Sequence, residues 1–160
     1  MNANLRIGLG NDIHRLEAGR ELWLGGVLIP YDKGLLGHSD ADIVIHAVAD
    51  AILGALGLGD IGEWFPDNDA KYKNMAGKDL LGHVMTEAKQ RSASIINADI
   101  IIQAEQPKLK EHKSLMRSIL STLLEIDAAN INIKAKTNEG LDAVGRQAAM
   151  SCQAIVLIQL

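Results

Sequence analysis

The sequence predicts a fold of the α/β or α+β class, in which helices pack on a mainly β layer. Segments that alternate apolar and polar residues interleave with segments that repeat apolar residues at helical spacing. The chain has 160 residues, 48% of them apolar and 22% charged, which suffices for a substantial core. No internal repeat or linker interrupts it, so we predict one domain over residues 1–160.

The first 40 residues are predicted to be mainly β. Leu5–Gly10 alternates apolar with small or polar residues and is typical of a strand. Leu22–Leu24 and Val27–Ile29 flank Gly25-Gly26, which indicates a hairpin. Residues 33–38 are expected to form a glycine-rich loop.

A helix and a long loop follow. Ser39–Asp42 fits a capping pattern ahead of an apolar run, and the helix is expected to end near Leu56. Residues 57–77 read as a loop, and loops of this length are usually functional or disordered. Three of the chain's five aromatic residues lie in it, which favours function.

The second half alternates helices and strands. The pattern predicts helix Asp79–Gln90, strand Ile95–Gln103, helix Lys108–Leu124 and strand Ile131–Lys136, followed by residues 146–160, which are ambiguous at first and β-like at their end.

Asp12, His14 and His46 are the most informative residues. Asp12 and His14 lie two apart near the end of a predicted strand, so their side chains point the same way. A carboxylate and two imidazoles suit zinc and leave its fourth position open. A chance D-x-H and a core histidine are the competing interpretations. Asp50, one turn after His46, is expected either to orient an imidazole or to lie on a solvated helix face.

Two further segments suggest anion binding. Gly37-His38-Ser39 comes before a predicted helix, where free backbone N–H groups attract phosphate. Lys134–Glu139 ends a strand with two lysines, a hydroxyl and a carboxylate, which suggests a Mg²⁺-type ion held by Glu139. An ordinary N-cap and an ordinary polar turn are the alternatives. The amides of Ala104–Leu109 could read a nucleobase edge or a phosphate.

Composition and missing motifs exclude several classes of function. The net charge of −4 and the 3% of aromatic residues argue against nucleic-acid binding. The sequence carries neither a Walker loop nor a G-x-G-x-x-G ahead of a helix, which argues against a kinase or a dinucleotide dehydrogenase. The absence of a signal-like segment and of a long apolar run leads us to expect a cytoplasmic protein without membrane partners.

In order along the chain, these motifs resemble the 2-C-methyl-D-erythritol 2,4-cyclodiphosphate synthase family of the non-mevalonate isoprenoid pathway. The resemblance runs from about residue 5 to the C-terminus, and we expect the monofunctional form of the family instead of a fusion with a cytidylyltransferase domain. The matching stretches are G-N-D-I-H at 10–14, L-G-G-V-L-I-P at 24–30, G-L-L-G-H-S-D-A-D at 34–42, H-A-V-A-D-A-I-L-G-A at 46–55, G-D-I-G at 59–62, F-P-D at 65–67, K-A-K-T-N-E-G-L-D at 134–142 and G-R at 145–146.

The resemblance implies an α+β fold, a two-layer sandwich with a mixed β-sheet and helices on one face, assembling as a homotrimer with sites between subunits. It implies conversion of 4-diphosphocytidyl-2-C-methyl-D-erythritol 2-phosphate to the cyclic diphosphate and CMP, a phosphorus–oxygen lyase reaction. Zn²⁺ or a similar divalent ion would be held by Asp12, His14 and His46. Mg²⁺ or Mn²⁺ would be held by Glu139 and the substrate diphosphate.

The resemblance also implies roles for single residues. His38 and Thr137 would be catalytic, with Thr137 stabilising the transition state. Beyond Asp12, His14, His38, Thr137 and Glu139, the substrate-binding residues would be Ser39, Asp60, Ile61, Gly62, Phe65, Pro66, Asp67, Asn68, Asp69, Ala104, Pro107, Lys108, Leu109, Lys110, Ala135, Lys136, Asn138, Ala143 and Arg146.

The chain departs from the family pattern at Lys136, Ala143 and Gln153. Many members carry threonine at the first position, an aromatic residue near the second and an acidic residue at the third. The last two belong to a central trimer cavity that can hold a prenyl diphosphate, and Arg146 remains available there for an anion.

Two other functions fit the same residues. A metal-dependent phosphohydrolase would use zinc to activate water and would release a linear phosphate instead of a ring. A trimeric metal-binding or ligand-sensing protein would bind zinc and cytidine nucleotides without releasing CMP.

Overall fold

The computed structural model describes residues 4–37, 39–66 and 75–160. The predictions for His38, Asp67, Asn68 and Asp69 lie outside the described residues.

Within the described residues, the main sheet has five strands and is mixed. Its order is β4-β1-β7-β5-β6, in which β5 and β6 run parallel and the other neighbours run antiparallel. A separate hairpin is formed by β2 and β3. The strands are β1 Leu5–Ala18, β2 Leu22–Leu24, β3 Val27–Ile29, β4 Lys33–Leu35, β5 Ser94–Gln103, β6 Ile131–Lys136 and β7 Ala149–Gln159.

Helices cover one face of this sheet, so the predicted α+β fold with a mixed sheet is confirmed. The central helix α1 packs across β1 and β7, and α3 packs against α1. The helices are α1 Ile43–Leu56, α2 Ile61–Trp64, α3 Gly77–Gln90, α4 Lys113–Leu124 and α5 Asp142–Gly145.

The structure corrects several predicted boundaries. Strand β1 continues past Gly10 to Ala18, because its second half pairs with both β7 and β4. Strand β4 replaces part of the predicted 33–38 loop. Helix α4 begins at Lys113 rather than at Lys108, because Leu109 is buried under the preceding turn and the first helical bond runs from the Met116 N–H to the His112 carbonyl.

The start of α1 also differs from the prediction. Its N-cap is Asp42, not Ser39. The buried Asp42 carboxylate accepts hydrogen bonds from the N–H groups of Val44 and Ile45, at 3.0 and 3.1 Å, and of Gly25 and Gly26, at 2.8 and 2.6 Å. The first free amides of α1 are therefore satisfied within the chain, and Asp42 ties the hairpin to the helix.

Two glycines of β1 let α1 lie directly on the strand. A Cβ at Gly10 would lie 1.9 Å from the Ala47 carbonyl oxygen, and one at Gly8 would lie 1.8 Å from that of Ala51. No side chain fits between these backbones. This close approach brings His46, on α1, above the continuation of β1 that carries Asp12 and His14.

The opposite face of the sheet is apolar and uncovered in the single chain. Ile7, Leu9 and Ile13 of β1 are 68%, 65% and 55% exposed, and Ile155 of β7 lies beside Leu9 and is 48% exposed. Exposed apolar patches are a general feature of interaction sites. Among the described residues, no helix is long and apolar enough to span a membrane.

Candidate active site

Three side chains from β1 and α1 converge, and we call them the metal half-site: Asp12, His14 and His46. The Asp12 Oδ2 atom lies 3.2 Å from His14 Nε2 and 3.0 Å from His46 Nδ1. One ligand atom from each residue lies within 4.8 Å of the others, so the group could hold a metal ion. The prediction that Asp12 and His14 share a face is confirmed.

The surroundings keep these groups in a state suited to metal binding. Partial burial raises the pKa of Asp12, but hydrogen bonds to His14 and His46 and their charges outweigh burial and hold the pKa well below its usual range. His14 Nδ1 lies 2.7 Å from the Leu36 carbonyl oxygen. Because a carbonyl only accepts, Nδ1 carries a proton, and Nε2, which lies beside Asp12, is the ring nitrogen that remains for a metal ion.

Asp50 does not lie on a solvated helix face, and its role in orienting an imidazole stays a prediction. Its carboxylate is half-buried and accepts a hydrogen bond of 2.8 Å from the Ile61 N–H. Burial raises its pKa against the effect of that hydrogen bond, and the charges of Asp60 and Asp12 add to the rise. Asp50 therefore anchors the start of α2, close to the metal half-site.

Five of the predicted substrate-binding residues lie in or beside this short helix. Asp60 is the N-cap of α2 and accepts the Glu63 N–H at 3.0 Å. Ile61 and Gly62 begin the helix, and Phe65 and Pro66 follow it. Ser39 lines a cleft of about 190 Å³ together with Arg20, Glu21, Trp23 and Asp40.

A second cleft, which we call the nucleotide half-site, lies where β5 and β6 end and the chain leads into α4. It has a volume of about 290 Å³. Eight of the predicted substrate-binding residues line it, together with Lys113, which the sequence analysis missed. The lining residues are Ala104, Pro107, Lys108, Leu109, Lys110, Lys113, Ala135, Lys136 and Thr137.

The segment after β6 carries the predicted catalytic and second-metal groups. Thr137 Oγ1 donates a hydrogen bond of 2.7 Å to Glu139 Oε1. The Asn138 side chain accepts from Gln103 at 2.9 Å and donates to Asp142 at 2.7 Å. Ala143 belongs to α5 and Arg146 is its exposed C-cap, and neither residue lines the cleft.

The two half-sites are not brought together within one chain. Asp12 pairs with Cys152, Cys152 with Ile102, and Ile102 with Ala135, so these four residues form one row across the sheet. Three strand spacings separate the ends of the row by roughly 14 Å. Cys152 and Ile102 are fully buried between them.

The sequence model of the YgbB family matches residues 5–159. The chain belongs to the YgbB family. Its resemblance to the cyclodiphosphate synthases is thus confirmed. A curated relative of this kind is the 2-C-methyl-D-erythritol 2,4-cyclodiphosphate synthase of Desulfosudis oleivorans, which is 51% identical over 96% of this chain and 92% of its own.

Solved structures agree with this assignment. A 2C-methyl-D-erythritol-2,4-cyclodiphosphate synthase in a CDP-bound form superposes with a TM-score of 0.89 at 40% identity, over 96% of this chain and 99% of its own. The bifunctional IspDF of Campylobacter jejuni gives a TM-score of 0.94 at 40% identity, over 99% of this chain. This chain spans 43% of that longer protein.

Proposed function

We propose that this member of the YgbB family converts 4-diphosphocytidyl-2-C-methyl-D-erythritol 2-phosphate to 2-C-methyl-D-erythritol 2,4-cyclodiphosphate and CMP. The name of its curated relatives states this cyclisation. The observation that carries the proposal is that one chain of the family supplies both a three-ligand metal half-site and a lysine-lined cleft. The reaction is a step of non-mevalonate isoprenoid biosynthesis, and we place it in the cytoplasm, without nucleic-acid or membrane partners.

The reaction needs positioning and charge neutralisation rather than a strong base. The nucleophile is the substrate's own 2-phosphate, which is largely ionised near neutral pH. It attacks the β-phosphorus, and the bond to the CMP oxygen breaks. The lysines of the nucleotide half-site stabilise the charge that develops on CMP, and Thr137 turns its hydroxyl proton from Glu139 to the reacting phosphate.

The donor sets fit two divalent ions. Asp12, His14 and His46 offer one oxygen and two nitrogens, as zinc prefers, and the Leu36 carbonyl fixes the His14 tautomer. Glu139 offers a single exposed carboxylate, as suits Mg²⁺ or Mn²⁺ bound chiefly by phosphates. When bound, such ions polarise the phosphates and neutralise their charge. The proposed roles of His38 and Asp67 as phosphate and sugar ligands rest on the sequence alone.

We further propose a homotrimer whose active sites form between subunits. Support comes from the separation of the two half-sites by buried core residues, since a second copy can place its nucleotide half-site beside the first copy's metal half-site. The uncovered face with Ile7, Leu9, Ile13 and Ile155 offers the apolar surface for such an assembly.

Phosphorus NMR of the purified protein with the cytidine diphosphate substrate, with and without EDTA, tests the activity. We expect CMP and a cyclic diphosphate signal, both lost with EDTA. CMP with only linear phosphates would point instead to the phosphohydrolase. Zinc binding without turnover would point to the ligand-binding protein.

Mixing inactive variants tests the shared site. We expect His46→Ala and Lys108→Ala each to be weakly active or inactive alone, because each lacks one half-site. Co-refolding them in equal amounts should restore about a quarter of the wild-type activity, since random assembly joins two intact half-sites at one interface in four. Activity that stays at the level of the separate variants would contradict the intersubunit site.

A further inference from the structure

Glu105 links the two segments that meet at the nucleotide half-site. It follows Ala104 at the end of β5, and its half-buried side chain reaches across to the segment after β6. There Glu105 Oε1 accepts hydrogen bonds from the Asn138 N–H at 2.7 Å and from the Gly140 N–H at 3.3 Å. One carboxylate oxygen thus receives two backbone amides on either side of Glu139.

The backbone at this point is an anion-binding concavity. Glu139 and Gly140 have φ angles of 52° and 77°, in the left-handed region. Successive amides in such a conformation point toward one side and attract an anion. Here the anion is supplied by the chain itself, so this concavity is occupied and the amides of Asn138 and Gly140 are satisfied.

Other contacts hold the same segment from the sheet side. Ser151 Oγ donates to Gln103 Oε1 at 2.9 Å, and Gln103 Nε2 donates to Asn138 Oδ1 at 2.9 Å. These contacts fix the side chain of Asn138. Glu105, by contrast, fixes the backbone that carries Thr137 and Glu139, whose side chains lie 2.7 Å apart.

We propose that Glu105 is a positioning residue of the cyclisation: its carboxylate oxygen, as an acceptor, holds the 138–140 backbone so that Thr137 and Glu139 face the phosphates. This proposal rests on the proposed function of the site. A shift of about 1 Å in such groups is enough to cost a large factor in rate. Thr137 and Glu139, which are displaced when Glu105 is replaced, act on the phosphate and on its divalent ion. We therefore expect the substitution to lower the turnover number and to leave the metal half-site unchanged.

Three substitutions of Glu105 separate the effect of side-chain length from the effect of the negative charge. Glu105→Ala removes the acceptor and should lower kcat about tenfold or more and raise the Mg²⁺ concentration for half-maximal rate. Glu105→Gln keeps an acceptor oxygen at the same reach without the charge and should stay within about threefold of wild type. Glu105→Asp keeps the charge but is shorter by one methylene, and its kcat should fall toward that of Glu105→Ala.

The measurements are kcat, KM, the Mg²⁺ titration and bound zinc for each variant as the assembled protein. Zinc content should be unchanged in all three. Glu111→Ala, which removes an exposed carboxylate of the same segment, is the matched control and should behave as wild type. If Glu105→Ala does not fold, the comparison of Glu105→Gln with Glu105→Asp still tests the positioning role of Glu105.

Two results would overturn the role. One is that Glu105→Ala, or Glu105→Asp if the Ala variant is insoluble, matches Glu111→Ala. The other is that Glu105→Gln is impaired while Glu105→Asp stays near wild type, which would assign the effect to the negative charge instead of to the placement of the acceptor oxygen. A wild-type protein that forms no cyclic product would instead refute the proposed function, so the two failures are distinguishable.

Discussion

The metal half-site lies in the middle of regular elements, whereas the nucleotide half-site lies where elements end. Asp12 and His14 are consecutive residues on one face of β1, and His46 is one turn into α1. Their relative positions follow from strand alternation and from the close contact of α1 with β1. The cleft instead depends on turns after β5 and β6, held by side chains such as Glu105 and Asn138. Rigid packing therefore positions the possible metal ligands, whereas hydrogen-bonded loops shape the cleft that we propose for the nucleotide.

The strongest test of the packing that supports the metal half-site is the substitution Gly10→Ala. The added Cβ would lie 1.9 Å from the Ala47 carbonyl oxygen, so α1 must move away from β1. We expect a loss of at least about 3 kcal/mol in the free energy of unfolding, measured by denaturant titration, or no soluble protein. Gly82→Ala, on the exposed face of α3 with nothing within 4 Å, is the control. It should stabilise by about 0.5–1 kcal/mol. Equal stability of the two variants would show that α1 is not in contact with the strand.

His46→Ala tests the ligand set without disturbing that packing. His46 is only partly buried, so its removal costs little core, and we expect a folded protein that loses bound zinc and turnover. Metal analysis and circular dichroism give the two readouts. His83→Ala, an exposed histidine on α3, should keep its zinc. An unfolded His46→Ala variant would mean that His46 serves the core and that its assignment as a ligand is wrong.

The strand and the helix that carry the metal half-site could be predicted because the periodic pattern of apolar residues along the sequence indicates each of them. Alternation along a strand puts Asp12 and His14 on one face whatever the rest of the fold is. The N-cap of α1 could not be predicted in this way. Ser39 and Asp42 both suit a cap, and the choice is made by Gly25 and Gly26, whose amides need the Asp42 carboxylate. That is a tertiary contact across 16 or 17 residues, which a local pattern does not contain.

The nucleotide half-site was predictable in its residue types but not in its shape. The resemblance to the family named eight lining residues. Helix periodicity, however, placed the start of α4 at Lys108 instead of Lys113, because the turn that buries Leu109 is fixed by packing. With that error, Lys113 falls inside a helix and away from the cleft. The true start places it on the cleft wall.

Lys113→Ala tests that correction and should have a moderate effect. In the proposed complex its ammonium group would add to the positive charge facing the nucleotide phosphates, so KM should rise about three- to fivefold, as for the loss of one partly exposed ion pair. The increase should shrink at high salt, and bound zinc should stay constant. Lys89→Ala, on α3 and paired with Glu125, should leave KM unchanged. If the KM of Lys113→Ala equals that of wild type, Lys113 does not contribute to substrate binding and is an ordinary exposed residue of α4.

The smallest expected effect concerns Cys152, in the row of residues that separates the two half-sites. Burial, aided by the charges of Asp42 and Asp12, raises the pKa of its thiol well above the ordinary value of 9.0. The folded protein therefore keeps the thiol neutral while the unfolded chain can ionise. The contribution of the neutral Cys152 thiol to the free energy of unfolding is fully present below pH 9 and decreases as the pH rises above 9. Cys152→Ala should remove this part of the pH dependence of the free energy of unfolding. A thiol reagent at neutral pH should modify Cys152 in the native wild-type protein only as fast as the fold opens. Rapid labelling without unfolding would reveal a passage between the half-sites, and the argument that a second chain must complete the site would lose its main support.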